Sequence, residues 1–243
     1  SSSRDEVCFS FSKMYGENTA EFPTESRELE YRERMVSCYP IHPEVFDRLY
    51  EDWATLERFQ RTRGVLRLMA AVIHELWMSR DPSPMIMPGS FPLDVPGVRD
   101  ELTRYLDDNW NAVVDSEVDG KQSIPYRNDG NNGRYGSLLA SRRVARTVML
   151  GSAPDVGGQS VRGIERAHIR LGTVQPGENI SVFNDALGTL QTSSSYLYSD
   201  ANGNRFWYDT RPPLRKVAED RAKWVKAAPD QFEVDGRRQR LRH

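Results

Sequence analysis

The chain has 243 residues, 33 Lys+Arg against 35 Asp+Glu, a net charge of −2 and a mean hydropathy of −0.66, a polar, near-neutral sequence long enough for one large or two small domains. No apolar run approaches the roughly 18–20 residues that cross a bilayer, and the start SSSRDEV has neither a basic nor an apolar leader region, which excludes a membrane-spanning protein and an obvious secretory precursor. Cys8 and Cys38 form no CxxC pair and His42, His74, His168 and His243 no metal spacing, so neither a disulfide framework nor a zinc site is written here, and reduced cytoplasm is the expected compartment.

Residues 1–26 read as one short helix and a loop, the frayed end of something larger. From Ser26 to Tyr39, SRELEYRERMVSCY predicts a helix with a Ser cap, acids in the first turn and Leu29, Met35 and Val36 as apolar contacts. Tyr39-Pro40 and His42-Pro43 stop it, and Pro43 suits the first position of the next helix. That helix, PEVFDRLYEDW, presents Val45, Phe46, Leu49, Tyr50 and Trp53 as an amphipathic stripe. After a loop from Thr55 to Arg61, TRGVLRLMAAVIHELWMSR predicts a long helix. Val65, Leu66, Leu68, Met69, Val72, Ile73, Leu76 and Trp77 share one broad face, with Arg63, Arg67 and His74 opposite and only Ala70 and Ala71 between. Small residues beside arginines let another surface come close.

DPSPMIMPGSFPLDVPG, residues 81–97, holds five prolines, which predicts an extended segment on the surface of the helices and a domain boundary. Residues 98–119 read as the helix VRDELTRYLDDNW followed by NAVVDSEVD. Residues 94–119 carry eight acids against Arg99 and Arg104, whereas residues 127–171 carry eight arginines against Asp129, Asp155 and Glu165. The two blocks can contact each other or an external partner. The last third predicts the helices RYGSLLASRRVARTVMLGS, VRGIERAHIRLG and ISVFNDALGTLQ, then the strands SSYLYSD and RFWYDT around Asn202-Gly203. Tyr196, Tyr198, Phe206 and Tyr208 are expected on one face of the strand pair. Three helices followed by a β-hairpin is winged-helix order. Residues 212–228 read as one more charged helix before a loose basic tail.

The fold class expected is mainly α (α+β), in four parts: a helical lid-like subdomain over 1–80, a proline-rich connector and acidic helix over 81–125, a winged-helix domain with a β-hairpin wing over 126–211, and a C-terminal helix and basic tail over 212–243.

Chemistry is sparse. The sole Gly-Lys, Gly120-Lys121, is followed by Gln122, and Asp115 stands where GxxxxGK requires glycine, so the chain has no P-loop. AVVDSE, Ala112 to Glu117, only imitates a strand ending in a magnesium-binding acid. HExxH, GxSxG and GxGxxG are missing, although His74-Glu75 begins the first. Of the 33 cations 28 are Arg, which favours phosphate contact or reflects the codon bias of a GC-rich genome, so each arginine must be argued by position. The third predicted helix, ISVFNDALGTLQ, has no Lys or Arg and one Asp, and would repel a duplex. Arg142, Arg143, Arg146 and, in the wing, Arg205 are the candidates for sequence-independent contact with a nucleic-acid backbone, while protein docking is the other use of the module.

In RFQRTRGVLRL, Gly64 and Arg67 match the small-x-x-Arg spacing that opens the sensor 2 helix of AAA+ lids. The longer run YPIHPEVFDRLYEDWATLERFQRTRGVLRLMAAVIHELW, with IMPGSFPLD, RRVARTVMLGSAP, RLGTVQPGE, SYLYSD and RFWYDTRPPLRKVAEDRA, resembles the large prokaryotic predicted AAA+ ATPases grouped as a domain of unknown function. Those proteins are typically encoded beside adenine-specific DNA methyltransferases and helicases in restriction-like or phage-defence clusters. The similarity runs from about Phe11 to the end. It implies an internal piece of a much longer protein, whose P-loop and Walker B acid lie upstream and whose ATP and Mg²⁺ are held there; this piece has no cofactor of its own and no catalytic residue. It also implies that Arg67, with Arg63, Arg61 and Gly64, reaches toward a nucleotide on the upstream core. The partners implied are that core and a methyltransferase or helicase; the alternatives are a sequence-nonspecific DNA-binding winged helix and a structural scaffold.

Overall fold

The computed structural model describes residues 2–53, 61–152, 162–211 and 221–222. The chain divides into two compact units, Ser1–Thr210 and Arg211–His243. In the second, residues 221 and 222 are helical; the expected helix over 212–228 and the basic tail otherwise lie outside the described residues. The first unit is mainly helical, with one small three-stranded antiparallel sheet.

The start is a 16-residue helix, α1 (Ser2–Glu17). The frayed end expected there is in fact core: Cys8, Phe11 and Tyr15, spaced three and four apart, are fully buried. This stripe is easy to miss because serines and charges fill the positions between. A 3₁₀ turn (Thr24–Arg27) leads to α2 (Leu29–Cys38), which buries Tyr31 and Met35; Leu29, expected inside, is 69% exposed.

Pro43 does open α3 (Pro43–Asp47), which continues as a π turn (Arg48–Asp52) to Trp53. Val45, Leu49 and Trp53 are fully buried, Phe46 is half-buried and Tyr50 is exposed, because the stripe meets its neighbours along only one edge. Trp53 Nε1 donates to the Leu150 carbonyl at 2.7 Å, tying together two segments 97 residues apart. The loop expected from Thr55 lies outside the described residues. The long helix is α4 (Arg61–Ser79), closed by Arg80 at φ 55° with Asp81 N–H on the Leu76 carbonyl.

The proline-rich segment is exposed only at its ends, at Asp81, Pro82, Pro96 and Gly97, and the chain divides into its two units after Thr210 rather than here. Met85, Met87, Phe91 and Leu93 are buried, and Ile86 bridges Ile41 through backbone bonds to His42 and Pro40. The 3₁₀ turn Pro88–Ser90 packs on the helix Ala140–Leu150, where a Cβ on Gly89 would meet the Arg143 carbonyl at 3.1 Å and the Gly172 carbonyl at 3.2 Å. Prolines forbid helix here, but an extended chain can still be covered on all sides when its few N–H groups find carbonyls, as Gly89 N–H does on Gly172.

Next come α5 (Pro96–Thr103), α6 (Asn109–Val113) with a π turn (Val114–Val118), α7 (Ile124–Asn131), α8 (Gly133–Gly136) and α9 (Ala140–Leu150). The single helix expected over 134–152 is therefore two, broken at Leu139, which takes φ 50°. Strand β1 (Ile164–Glu165) and α10 (Arg166–Leu171) replace the helix expected over 161–172, since Gly163 at φ 81° turns the chain and lets Ile164 pair with Phe206. Then follow α11 (Ile180–Ser193), β2 (Leu197–Ser199) and β3 (Arg205–Tyr208), in the sheet order β1-β3-β2.

Ile164, Leu197, Phe206 and Tyr208 form the buried sheet face. Tyr198 lies opposite Trp207 on the other face, stacked at 5.6 Å, so the tyrosine expected beside Phe206 points away: the register pairs Leu197, not Tyr198, with Tyr208.

Candidate functional site

Three clusters hold the charged residues of interest. The first is on α4, where Val65, Leu68, Met69 and Val72 are buried against the fold. Arg67 and Arg63 are exposed, and Gly64 is buried. The side chain of Arg61 lies outside the described set. Arg67 does not project freely: it donates to Glu101 of α5 at 2.8 Å, and Glu101 also takes Arg104 at 2.6 Å. Leu66, Ile73 and Trp77, expected on the buried face, are instead 64%, 44% and 82% exposed. The apolar arc of α4 is wider than the surface offered to it.

The second cluster surrounds α9, whose residues are nearly all buried. No side chain of its own caps the helix; the Asp129 carboxylate of α7 accepts the N–H groups of Ser141 at 2.9 Å and Arg142 at 3.2 Å. Burial raises the Asp129 pKa, a shift these backbone bonds hold back. Arg142 and Arg146 converge on Asp119, each at 2.7 Å, and on Asp94 at 3.2 and 3.5 Å. Asp119 is fully buried and also accepts the Asp94 N–H at 2.9 Å; burial pushes its carboxyl up while the two guanidiniums pull it back. Arg143 is held by both oxygens of Glu178 at 2.7 and 3.0 Å, by the Leu138 and Thr173 carbonyls, and lies over the Phe183 ring. These three arginines, candidates for DNA contact, are thus inside the fold on carboxylates of the acidic block and of the turn before α11. Contact between the two charge blocks is what the geometry contains. Arg205 is partly exposed and pairs with Glu165 at 3.3 Å.

The third cluster was not legible as a site. His42 caps α3, its Nδ1 accepting the Glu44 N–H at 3.2 Å. The proton therefore sits on Nε2, which donates to the Tyr15 hydroxyl oxygen at 2.9 Å. Burial presses the His42 pKa down to about 3, with Arg34 adding to the effect. The Glu44 carboxylate, fully buried, pairs with Arg48 at 3.0 Å and with His168 Nδ1 of α10 at 3.1 Å, while His168 Nε2 faces Glu25 at 3.4 Å. Burial works to lower the His168 pKa, but the hydrogen bond and charge of Glu44 prevail and it is raised. His42-x-Glu44 ahead of an apolar helix was the available signal; the 124-residue separation of Glu44 from His168 hid the rest.

The outward residues of α11 are Ser181, Asn184, Asp185, Gly188, Thr189 and Thr192, with no cation among them. Among the described residues no group of three His, Cys, Asp or Glu is placed to hold a metal ion, and no helix is long and apolar enough to cross a membrane.

The family model of the DUF499 second domain matches residues 18–208. The chain belongs to this domain-of-unknown-function family. The match spans the sequence from the end of α1 to the last residue of β3, so all three clusters except the α1 side of the third lie within the DUF499 second domain. No curated protein matches the chain, and no solved structure does.

Taken chemically, the α9 and His42 clusters join elements together, since every charged group in them is turned to another part of the fold. Among the described residues, the outer side of α4 and the polar side of α11, which carries Asp185 and no cation, are two of the faces open to a partner.

Proposed function

We propose that this DUF499 second domain is the non-catalytic interaction portion of a larger AAA+ ATPase in a DNA-modification or phage-defence system, with a lid-like helical part and a winged-helix-like module. The element order α9-β1-α10-α11-β2-β3 with sheet order β1-β3-β2 supports the winged-helix reading. One observation carries the interaction role: α11, in the position of a recognition helix, presents polar and acidic side chains, while Arg142, Arg143 and Arg146 of α9 are committed to internal carboxylates. A duplex needs exposed cations to replace its counterions, and this surface has few to offer. The scaffold for a methyltransferase or helicase is the neighbouring reading and uses the same cation-free face.

The α4 residues make no phosphate cradle by themselves. Gly64 is buried and the Arg67 guanidinium is occupied by Glu101, so Arg67 would serve a nucleotide on the upstream core only after leaving that pair.

A shift assay at about 150 mM salt with random and methylation-site duplexes tests the reading. No binding, or binding at low salt alone, supports it. Nanomolar, sequence-dependent binding overturns it and makes the module a DNA reader.

A further inference from the structure

The outer face of α4 sets charge of a single sign beside a bare apolar stripe. At about 100° per residue, Leu66, Ala70, Ile73 and Trp77 line up along the helix, all of them exposed. Arg63, Arg67 and His74, also exposed, run along one edge of that stripe, while the other edge turns through the buried Met69 into the fold. Arg80, exposed as well, follows the last turn. The single acid of α4, Glu75, falls on the opposite side of the helix and is half-buried.

The neighbouring carboxylates do not balance this edge. Among the described residues Arg63, His74 and Arg80 have no ion-pair partner. Glu101 of α5 answers two guanidiniums at once, Arg67 at 2.8 Å and Arg104 at 2.6 Å, and Asp81 is turned onto the Ser83 N–H at 2.9 Å. The first turn of α4 contains no acid, so Arg63 sits at the positive end of the helix dipole and adds to it.

We propose that this face docks an acidic amphipathic helix of a partner protein. Apolar side chains of that helix seat against Leu66, Ala70, Ile73 and Trp77, and carboxylates on its flank lie along Arg63 and Arg67 and reach Arg80. The spacing of four, three and four is a coiled-coil seam, which a second helix covers knob into hole, with Ala70 leaving room for a larger side chain at the middle. Charge selects the occupant, because a carboxylate on the partner's flank relieves the cations at Arg63 and Arg80 where a basic flank meets like charge. A lipid surface takes a helix whose whole apolar face is free, and half of the apolar arc of α4 is already turned into the fold. The site is separate from the α11 face and stands whether or not the longer protein is an ATPase.

Fluorescence anisotropy of the whole chain with a labelled synthetic helix tests this. The probe is about three heptads long, with Leu at the seam positions and Glu on both flanks, and its control has Lys in place of every Glu. Saturable binding of the Glu peptide is expected below about 200 μM chain, about tenfold or more tighter than the Lys peptide and weakened by added salt. Trp77→Ala and Leu66→Ala should each weaken it about tenfold, and Arg63→Glu should weaken the Glu peptide while strengthening the Lys peptide. The melting temperature should not move, since all three positions are exposed. No binding of the Glu peptide, equal binding of the two peptides, or binding indifferent to these substitutions overturns the proposal. Flotation of the chain with phosphatidylserine vesicles, abolished by Trp77→Ala, overturns it too and gives the stripe to a lipid surface.

Discussion

Helices α4 and α9 are built from similar material, arginines set among Val, Leu, Met and Ala, and the fold uses them in opposite ways. Around α9 the connector turn at Pro88–Ser90, α7, α11 and the sheet close on every side, and its arginines are buried on Asp94, Asp119 and Glu178. Among the described residues helix α4 packs mainly on α5; one edge of its apolar arc is buried and the rest faces outward together with Arg63 and Arg67. An arginine's role here follows from how many sides of its helix are covered. A guanidinium taken out of water needs carboxylates within hydrogen-bond reach, and only the enclosed helix has them in number.

The comparison predicts its largest effect at the enclosed helix. Asp119→Ala removes the carboxylate shared by Arg142 and Arg146 and leaves two cations with only the more distant Asp94; a loss of about 3–5 kcal/mol in denaturant unfolding is expected, the range for breaking a buried ion pair. A loss below about 1 kcal/mol would mean that water reaches these guanidiniums and that α9 is no more enclosed than α4.

The two histidines give an intermediate effect with opposite signs. His42 is held neutral, its pKa pressed to about 3, so the unfolded chain takes up the proton first as pH falls. Stability should be full above about 6.5 and drop by about 1.4 kcal/mol per pH unit on the way down toward about 3. His168, raised by Glu44, contributes fully below about 6.5, and that contribution is lost as pH rises through its folded value. Urea midpoints between pH 4 and 9 check both: His168→Gln should flatten the alkaline limb and leave the acid limb in place. An acid limb that is flat in the wild type would show His42 protonating within the fold.

The smallest effect is expected on the open helix. Arg67→Ala should cost under about 1 kcal/mol, since its pair with Glu101 is half exposed and Arg104 remains on the same carboxylate. If the proposed AAA+ reading holds and the arginine assists phosphoryl transfer, the same change in the longer protein should lower ATP turnover roughly tenfold to a thousandfold. Comparing thermal melting with turnover separates the two: melting that falls in step with activity makes Arg67 a structural residue.

Periodicity and punctuation alone settled several elements, for local reasons. Pro43 at the head of α3, the span of α4, the extent of α11 and the strands on either side of Asn202-Gly203 all follow from helix and turn chemistry acting within a few residues. The sign reversal between residues 94–119 and 127–171 likewise contained the Asp119–Arg142–Arg146 cluster as one of two readings.

Tertiary structure decided the rest. Whether residues 81–97 lie outside or inside depends on carbonyls from Gly172 and Pro40, and whether Ile164 is helix or strand depends on Phe206, 42 residues on. A two-residue strand has too little periodicity to reveal itself before its partner is known. The same holds for charge: Arg143 and Arg67 look alike along the chain, and only the arrival of Glu178, Thr173 and Phe183 on one, and of a single half-exposed pair on the other, separates a residue of the interior from one left for a partner. Local sequence sets which face of a helix is apolar, but the number of neighbours that come to cover it is a property of the whole chain's packing, because burial is a sum over contacts distant in sequence.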